Sequence, residues 1–73
     1  MIIVYTKDNC PYCVKAKALL KTQNMEYMEV RIGSDITRDE FLETFPNART
    51  VPQIVFNGEL VGGYDDLVKL LSK

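Results

Sequence analysis

No histidine occurs anywhere in the 73 residues, and only two cysteines do. A tetrahedral metal site within one chain draws mainly on histidine and cysteine thiolate. A self-contained site would therefore need carboxylates or a second chain, and no metal is expected. Basic residues are not in excess either, since nine against ten acidic residues leave a formal charge of −1. That balance argues against a basic polyanion-binding surface, and nucleic acid is not expected as a partner. Long apolar runs are also missing. The apolar stretch 2–5 follows Met1 directly, has no charged segment before it, and is too short for a signal sequence or a membrane span. A cytoplasmic location without membrane contact is the expectation. Linkers, repeats and low-complexity segments are absent from the sequence. Residues 1–73 are expected to form a single domain whose small core supplies only a few kcal/mol of net stability.

What is present begins with the two cysteines, Cys10 and Cys13, separated by Pro11 and Tyr12. In a reducing compartment such a pair near a strand-helix-strand pattern reads first as a redox pair. A permanent bridge over so short a loop would restrict the unfolded chain very little.

Ile2, Ile3, Val4 and Tyr5 form an unbroken apolar run of the kind seen in a central strand covered on both faces. Proline is favoured at the first helical position, where its missing N–H costs nothing, so Pro11 predicts a helix beginning at or beside Cys10. On that helix Cys13, Ala16, Leu19 and Leu20 share one face, with Lys15, Lys17 and Lys21 mainly elsewhere. Cys13 is expected to face inward and Cys10 to cap the exposed end. Met28, Val30 and Ile32 alternate with Glu29 and Arg31, the period of a second strand joined to the first by a helical crossover. Thr37 and Glu40 have capping-box spacing, followed by Phe41, Leu42 and Phe45 as a buried stripe and Pro46 as a stop. Segments 51–56 and 59–61 flank Asn57-Gly58, a strong two-residue hairpin signal. Gly62-Gly63 then ends the last strand. Asp65 or Asp66 is expected to cap a final helix with Leu67, Val68, Leu70 and Leu71 on its apolar face. The predicted order is β-α-β-α-β-β-α.

The string from Tyr5 to Cys13, then Thr50-Val51-Pro52, then Gly62-Gly63-Tyr64-Asp65-Asp66-Leu67, together resemble glutaredoxins, and the likeness spans nearly the whole chain. The resemblance implies an α/β thioredoxin fold, a four-stranded mixed sheet in the order 2-1-3-4 with helices on both faces, in a minimal-length member. It further implies a monomeric glutathione-dependent thiol-disulfide oxidoreductase that reduces protein disulfides and glutathione mixed disulfides, ribonucleotide reductase among the targets the family suggests.

The expected catalytic residues are Cys10 and Cys13. A free cysteine is only a few per cent ionised at neutral pH, and the unpaired N–H groups at a helix N-terminus favour the Cys10 thiolate. Cys13 then resolves the mixed disulfide formed on Cys10. By resemblance, the Val51–Pro52 bond is expected to be cis and Val51 to pair with the cysteinyl part of glutathione, flanked by Thr50. Tyr12 would wall the groove. Gly63, Tyr64, Asp65 and Asp66 would receive the γ-glutamyl end, and Lys7 is the first candidate for the glycyl carboxylate. Many members place a Gln or Arg on the second helix for that carboxylate, where this chain has Asp39. The adjacent Arg38 is left outside the expected site. Two rival readings are a glutaredoxin-like donor reduced by thioredoxin reductase and a glutathione-ligated iron–sulfur carrier. The Gly-Gly-Tyr-Asp-Asp string weighs against the first and Pro11 against the second.

Overall fold

A computed structural model describes residues 1–48 and 50–72. The β-branched run at the start of the chain forms β1 (Ile2–Thr6), which lies between β2 (Met28–Arg31) and β3 (Gln53–Phe56), with β4 (Glu59–Gly62) outside β3. The sheet order is therefore 2-1-3-4, as expected for the thioredoxin fold. β1 pairs in parallel with β2, Val4 opposite Glu29, and antiparallel with β3, Val4 opposite Ile54. Three helices are found among the described residues: α1 (Pro11–Thr22), α2 (Arg38–Thr44) and α3 (Tyr64–Leu71).

The two faces of β1 are covered differently. Ile2, Val4 and Thr6 are buried and alternate with half-buried Ile3 and Tyr5. Ile2 and Val4 join Ala16 and Leu20 of α1, Ile54 of β3 and Leu67 of α3 in one core cluster. Leu20 is fully enclosed, a burial worth about 1.5–3 kcal/mol relative to an exposed leucine. Tyr5 turns the other way, its ring centroid 5.1 Å from that of Phe41 and 5.5 Å from that of Phe45. α2 thus covers the opposite face.

Local chemistry explains most element ends. The Thr37 hydroxyl accepts from the Glu40 amide, while the Glu40 carboxylate accepts from the Thr37 amide, both at 3.0 Å. Asn57 and Gly58 have φ values of 50° and 85°, the conformation a two-residue type I′ hairpin requires.

Four details differ from expectation. β3 starts at Gln53 rather than at 51, because Pro52 has no N–H for the ladder and the Thr50 carbonyl accepts from the Gln53 side chain at 2.8 Å. The β2 ladder ends at Arg31, with Ile32 in an isolated bridge to Ile36, and Met28 is half exposed at the sheet edge. Neither Asp65 nor Asp66 caps α3. Gly63 occupies that position, and Asp66 reaches back to accept from its N–H at 3.2 Å. Leu70 is 38% exposed, since α3 buries Leu67 and packs half-buried Leu71 against the core, on a face that Leu70 does not share.

Candidate active site

Asn9, at φ 57°, turns the chain from β1 into α1 and leaves Cys10 as the N-cap with extended backbone. Pro11 follows at the first helical position. The geometry puts the Cys10 sulfur over the first turn, where it accepts from the Cys13 N–H at 3.1 Å. Cys10 is half-buried, whereas Cys13 is 2% exposed and points inward. The two form a disulfide, so the structure shows the oxidised form. An N–H aimed at Cys10 Sγ interacts more strongly with a thiolate than with a thiol, because charge on the acceptor strengthens the bond.

The Val51–Pro52 peptide is cis, and the Val51 carbonyl oxygen lies 3.8 Å from Cys10 Sγ. Adjoining that contact is an open groove of about 820 Å³ lined by Lys7, Arg38, Phe41, Leu42, Thr50 and Val51, among others. Neither Lys7 nor Arg38 is ion-paired among the described residues. The fold therefore brings Arg38 into a place that its sequence position did not reveal. The relevant signal was there: Arg38 is the first residue after the Thr37 cap, but its direction depends on how α2 lies against the sheet.

On the other side Tyr12, 54% exposed, meets Tyr64 with ring centroids 5.8 Å apart, and Lys15 Nζ lies 5.0 Å from the Tyr12 ring centre. This aromatic pair joins the cysteine end of α1 to the N-terminus of α3. The Pro52 carbonyl oxygen lies 3.6 Å from the position a Gly63 Cβ would take. Asp66 is engaged by the Gly63 amide, while the amides of Tyr64 and Asp65 have no acceptor among the described residues. Gly62, at φ 127°, is glycine for two reasons: the conformation itself, and the Asp66 carboxylate that a Cβ would strike. Of the expected site residues, Val51 touches Cys10, Lys7, Thr50 and Val51 line one groove together with Arg38, and Tyr12 meets Tyr64 at the start of α3, which Gly63, Asp65 and Asp66 share. No cluster of metal-ligating side chains occurs among the described residues.

A dithiol pair on a helix N-terminus, beside a cis-proline at the end of a 2-1-3-4 sheet, defines a thiol-disulfide oxidoreductase of the thioredoxin fold. The glutaredoxin family profile matches residues 2–61. Glutaredoxin 1 of Rickettsia prowazekii is 46% identical, over 94% of this chain and 75% of its own length. Among solved structures, glutaredoxin 1 from Francisella tularensis in complex with cacodylate is similar at TM-score 0.78 and 31% identity, covering 99% of this chain and 96% of that one. A buckwheat glutaredoxin-glutathione complex is similar at TM-score 0.81 and 25% identity, over 97% of this chain and 67% of that one. The chain belongs to the glutaredoxin family.

Proposed function

We propose that the chain is a glutathione-dependent reductant of protein disulfides and glutathione mixed disulfides, acting as a monomer in a reducing cytoplasm. The observation that carries this reading is the groove beside Cys10, which offers a backbone carbonyl next to the reactive sulfur and two cations, Lys7 and Arg38, along its wall. Glutathione is a thiol peptide with a carboxylate at each end and one ammonium group. Its cysteinyl part would align with the Val51 backbone, flanked by Thr50, and its glycyl carboxylate would lie toward Lys7 and Arg38. The γ-glutamyl carboxylate would take the amides of Tyr64 and Asp65, with the Asp65 side chain for the ammonium and Tyr12 as the wall between. The solved glutathione complex of a similar protein supports glutathione as the ligand.

The chemistry follows from the unequal burial of the two sulfurs. The Cys10 thiolate attacks a target disulfide, forming a mixed disulfide and releasing the first target thiolate. Cys13, having lost its proton, attacks Cys10 Sγ; the Cys10–Cys13 bond forms and the second target sulfur leaves as thiolate. One glutathione thiolate then attacks Cys10 Sγ and frees Cys13, and a second attacks the bound glutathione sulfur. The products are the target dithiol, oxidised glutathione and the reduced protein, with each released thiolate protonated from water. On a glutathione mixed disulfide Cys10 alone suffices.

The test is turnover of a glutathionylated substrate with glutathione, glutathione reductase and NADPH, measured beside turnover with thioredoxin reductase. Activity in the first assay is the expected outcome, and activity only in the second would refute glutathione dependence.

A further inference from the structure

A second open groove, of about 530 Å³, shares Lys7 with the first and is walled by Cys10, Cys13, Lys17, Glu29 and Arg31. Lys17 stands four residues after Cys13 on α1 and, unlike the exposed Lys15 and Lys21, is half-buried, closer to the Cys13 face than the sequence pattern predicts. Its Nζ lies 3.1 Å from Glu29 Oε2. The same oxygen accepts from the hydroxyl of buried Thr6 at 2.7 Å and has an Arg31 guanidinium nitrogen at 3.9 Å. A chain of support runs from Thr6, in the central strand, to Glu29 and then to Lys17. It ends at a groove that Cys13, though 2% exposed, helps to line.

We propose that Lys17, held in place by Glu29, is a positioning residue for the resolving thiol, its ammonium stabilising the Cys13 thiolate whenever the Cys10–Cys13 bond opens. This inference rests on the dithiol mechanism above. When an external thiolate attacks Cys10 Sγ, a bond forms between those two sulfurs and the Cys10–Cys13 bond breaks. The electron pair leaves on Cys13 Sγ, which later takes a proton from water. A disulfide opens faster when its leaving thiol has a lower pKa, and a nearby cation lowers it. The charged groups facing this groove are Lys17 from α1, Glu29 and Arg31 from β2, and Lys7 and Asp8 from the β1–α1 connection. Three cations oppose two carboxylates, so the anion forms in a net positive setting. Thr6 is the main cause that keeps the Glu29 carboxyl below its ordinary range, against the opposing effect of burial. Glu29 is therefore charged at working pH and tempers Lys17 while fixing its place.

The experiment is reduction of the oxidised full chain by excess dithiothreitol, timed by acid quench, alkylation and mass. Lys17→Met, Glu29→Gln and the double variant are compared with the parent. If each substitution moves the leaving-thiol pKa by about one unit, the rate changes about threefold. Lys17→Met is expected to slow opening, Glu29→Gln to accelerate it, and the double variant to fall between them. In a Cys10→Ser background, the Cys13 thiolate titration shifts upward with Lys17→Met and downward with Glu29→Gln. Both single variants break the same ion pair, so a purely structural role moves their rates in the same direction. That result, or unchanged rates, overturns the proposal. Dithiothreitol makes no use of the glutathione groove, so the outcome is separate from the test of glutathione dependence.

Discussion

The main-chain N–H of Cys13 donates to Cys10 Sγ at 3.1 Å, so the residue that closes the disulfide also supplies an amide to its partner sulfur. The two roles are separable. Changing the Cys13 side chain leaves its amide in place, whereas changing Cys10 removes the sulfur that receives it.

Cys10→Ser is accordingly expected to abolish reduction of both protein disulfides and glutathione mixed disulfides. Cys13→Ser is expected to abolish only the first, retaining deglutathionylation because the helix N-terminus is intact. Parallel assays on a glutathionylated peptide and a disulfide-bonded protein check this, and residual activity of Cys10→Ser on either substrate contradicts the mechanism.

Lys7 and Arg38 line one groove without ion-pair partners among the described residues. Lys7→Gln and Arg38→Gln are each expected to raise the KM for glutathione about three- to tenfold, equivalent to about 0.7–1.4 kcal/mol, with kcat little changed. Added salt should weaken binding in the parent more than in the double variant, since screening acts on the charges the variant lacks. Steady-state kinetics at two ionic strengths provide the measurement. An unaltered KM in both single variants would remove these residues from the binding site.

Gly62 and Gly63 are adjacent but not equivalent. Gly62→Ala places a Cβ at φ 127° and against the Asp66 carboxylate, which holds the Gly63 amide. The expected cost is about 1–3 kcal/mol. Gly63 has φ −87° and only ordinary contact at the Cβ position, so Gly63→Ala should change stability by less than about 0.5 kcal/mol. Urea unfolding of both variants tests the contrast; equal losses would show that the Gly62 conformation is not the cause.

Glu29 links acid sensitivity to the same network. Its carboxyl is held below the ordinary range, first by the Thr6 hydroxyl and then, more weakly, by Lys17 and Arg31, with burial opposing. A lowered folded-state value means that the group adds stability above the ordinary carboxylate range and loses it as pH falls through the folded value. Glu29→Gln should therefore be less stable than the parent by about 0.5–1 kcal/mol at neutral pH. The gap should close as pH falls below the ordinary carboxylate range and through the lowered folded-state value. Unfolding curves at neutral and acid pH decide this, and a gap that persists in acid would assign the effect to packing.

The seven elements and their order were legible because each announces itself through local chemistry. Pro11 marks a helix start, Thr37 and Glu40 a capping box, and Asn57-Gly58 the left-handed turn that joins two strands. The redox pair was legible for a similar reason, since a spacing of three residues puts Cys10 on a helix cap and Cys13 one turn in. The α3 cap was misplaced because an aspartate at the third helical position and one at the cap differ by a few residues, and only backbone geometry separates them.

The sequence by itself determined the fold order and the unequal burial of Cys10 and Cys13, both of which depend on interactions within a turn or two of chain. Tertiary structure decided that Arg38 joins Lys7 beside Val51 and that Glu29 is tucked under α1 instead of facing only water. Alternation along β2 separates two faces without saying which one a helix will cover. That choice is made by the packing of α1 and α2 on opposite sides of β1, through contacts between residues far apart in the chain.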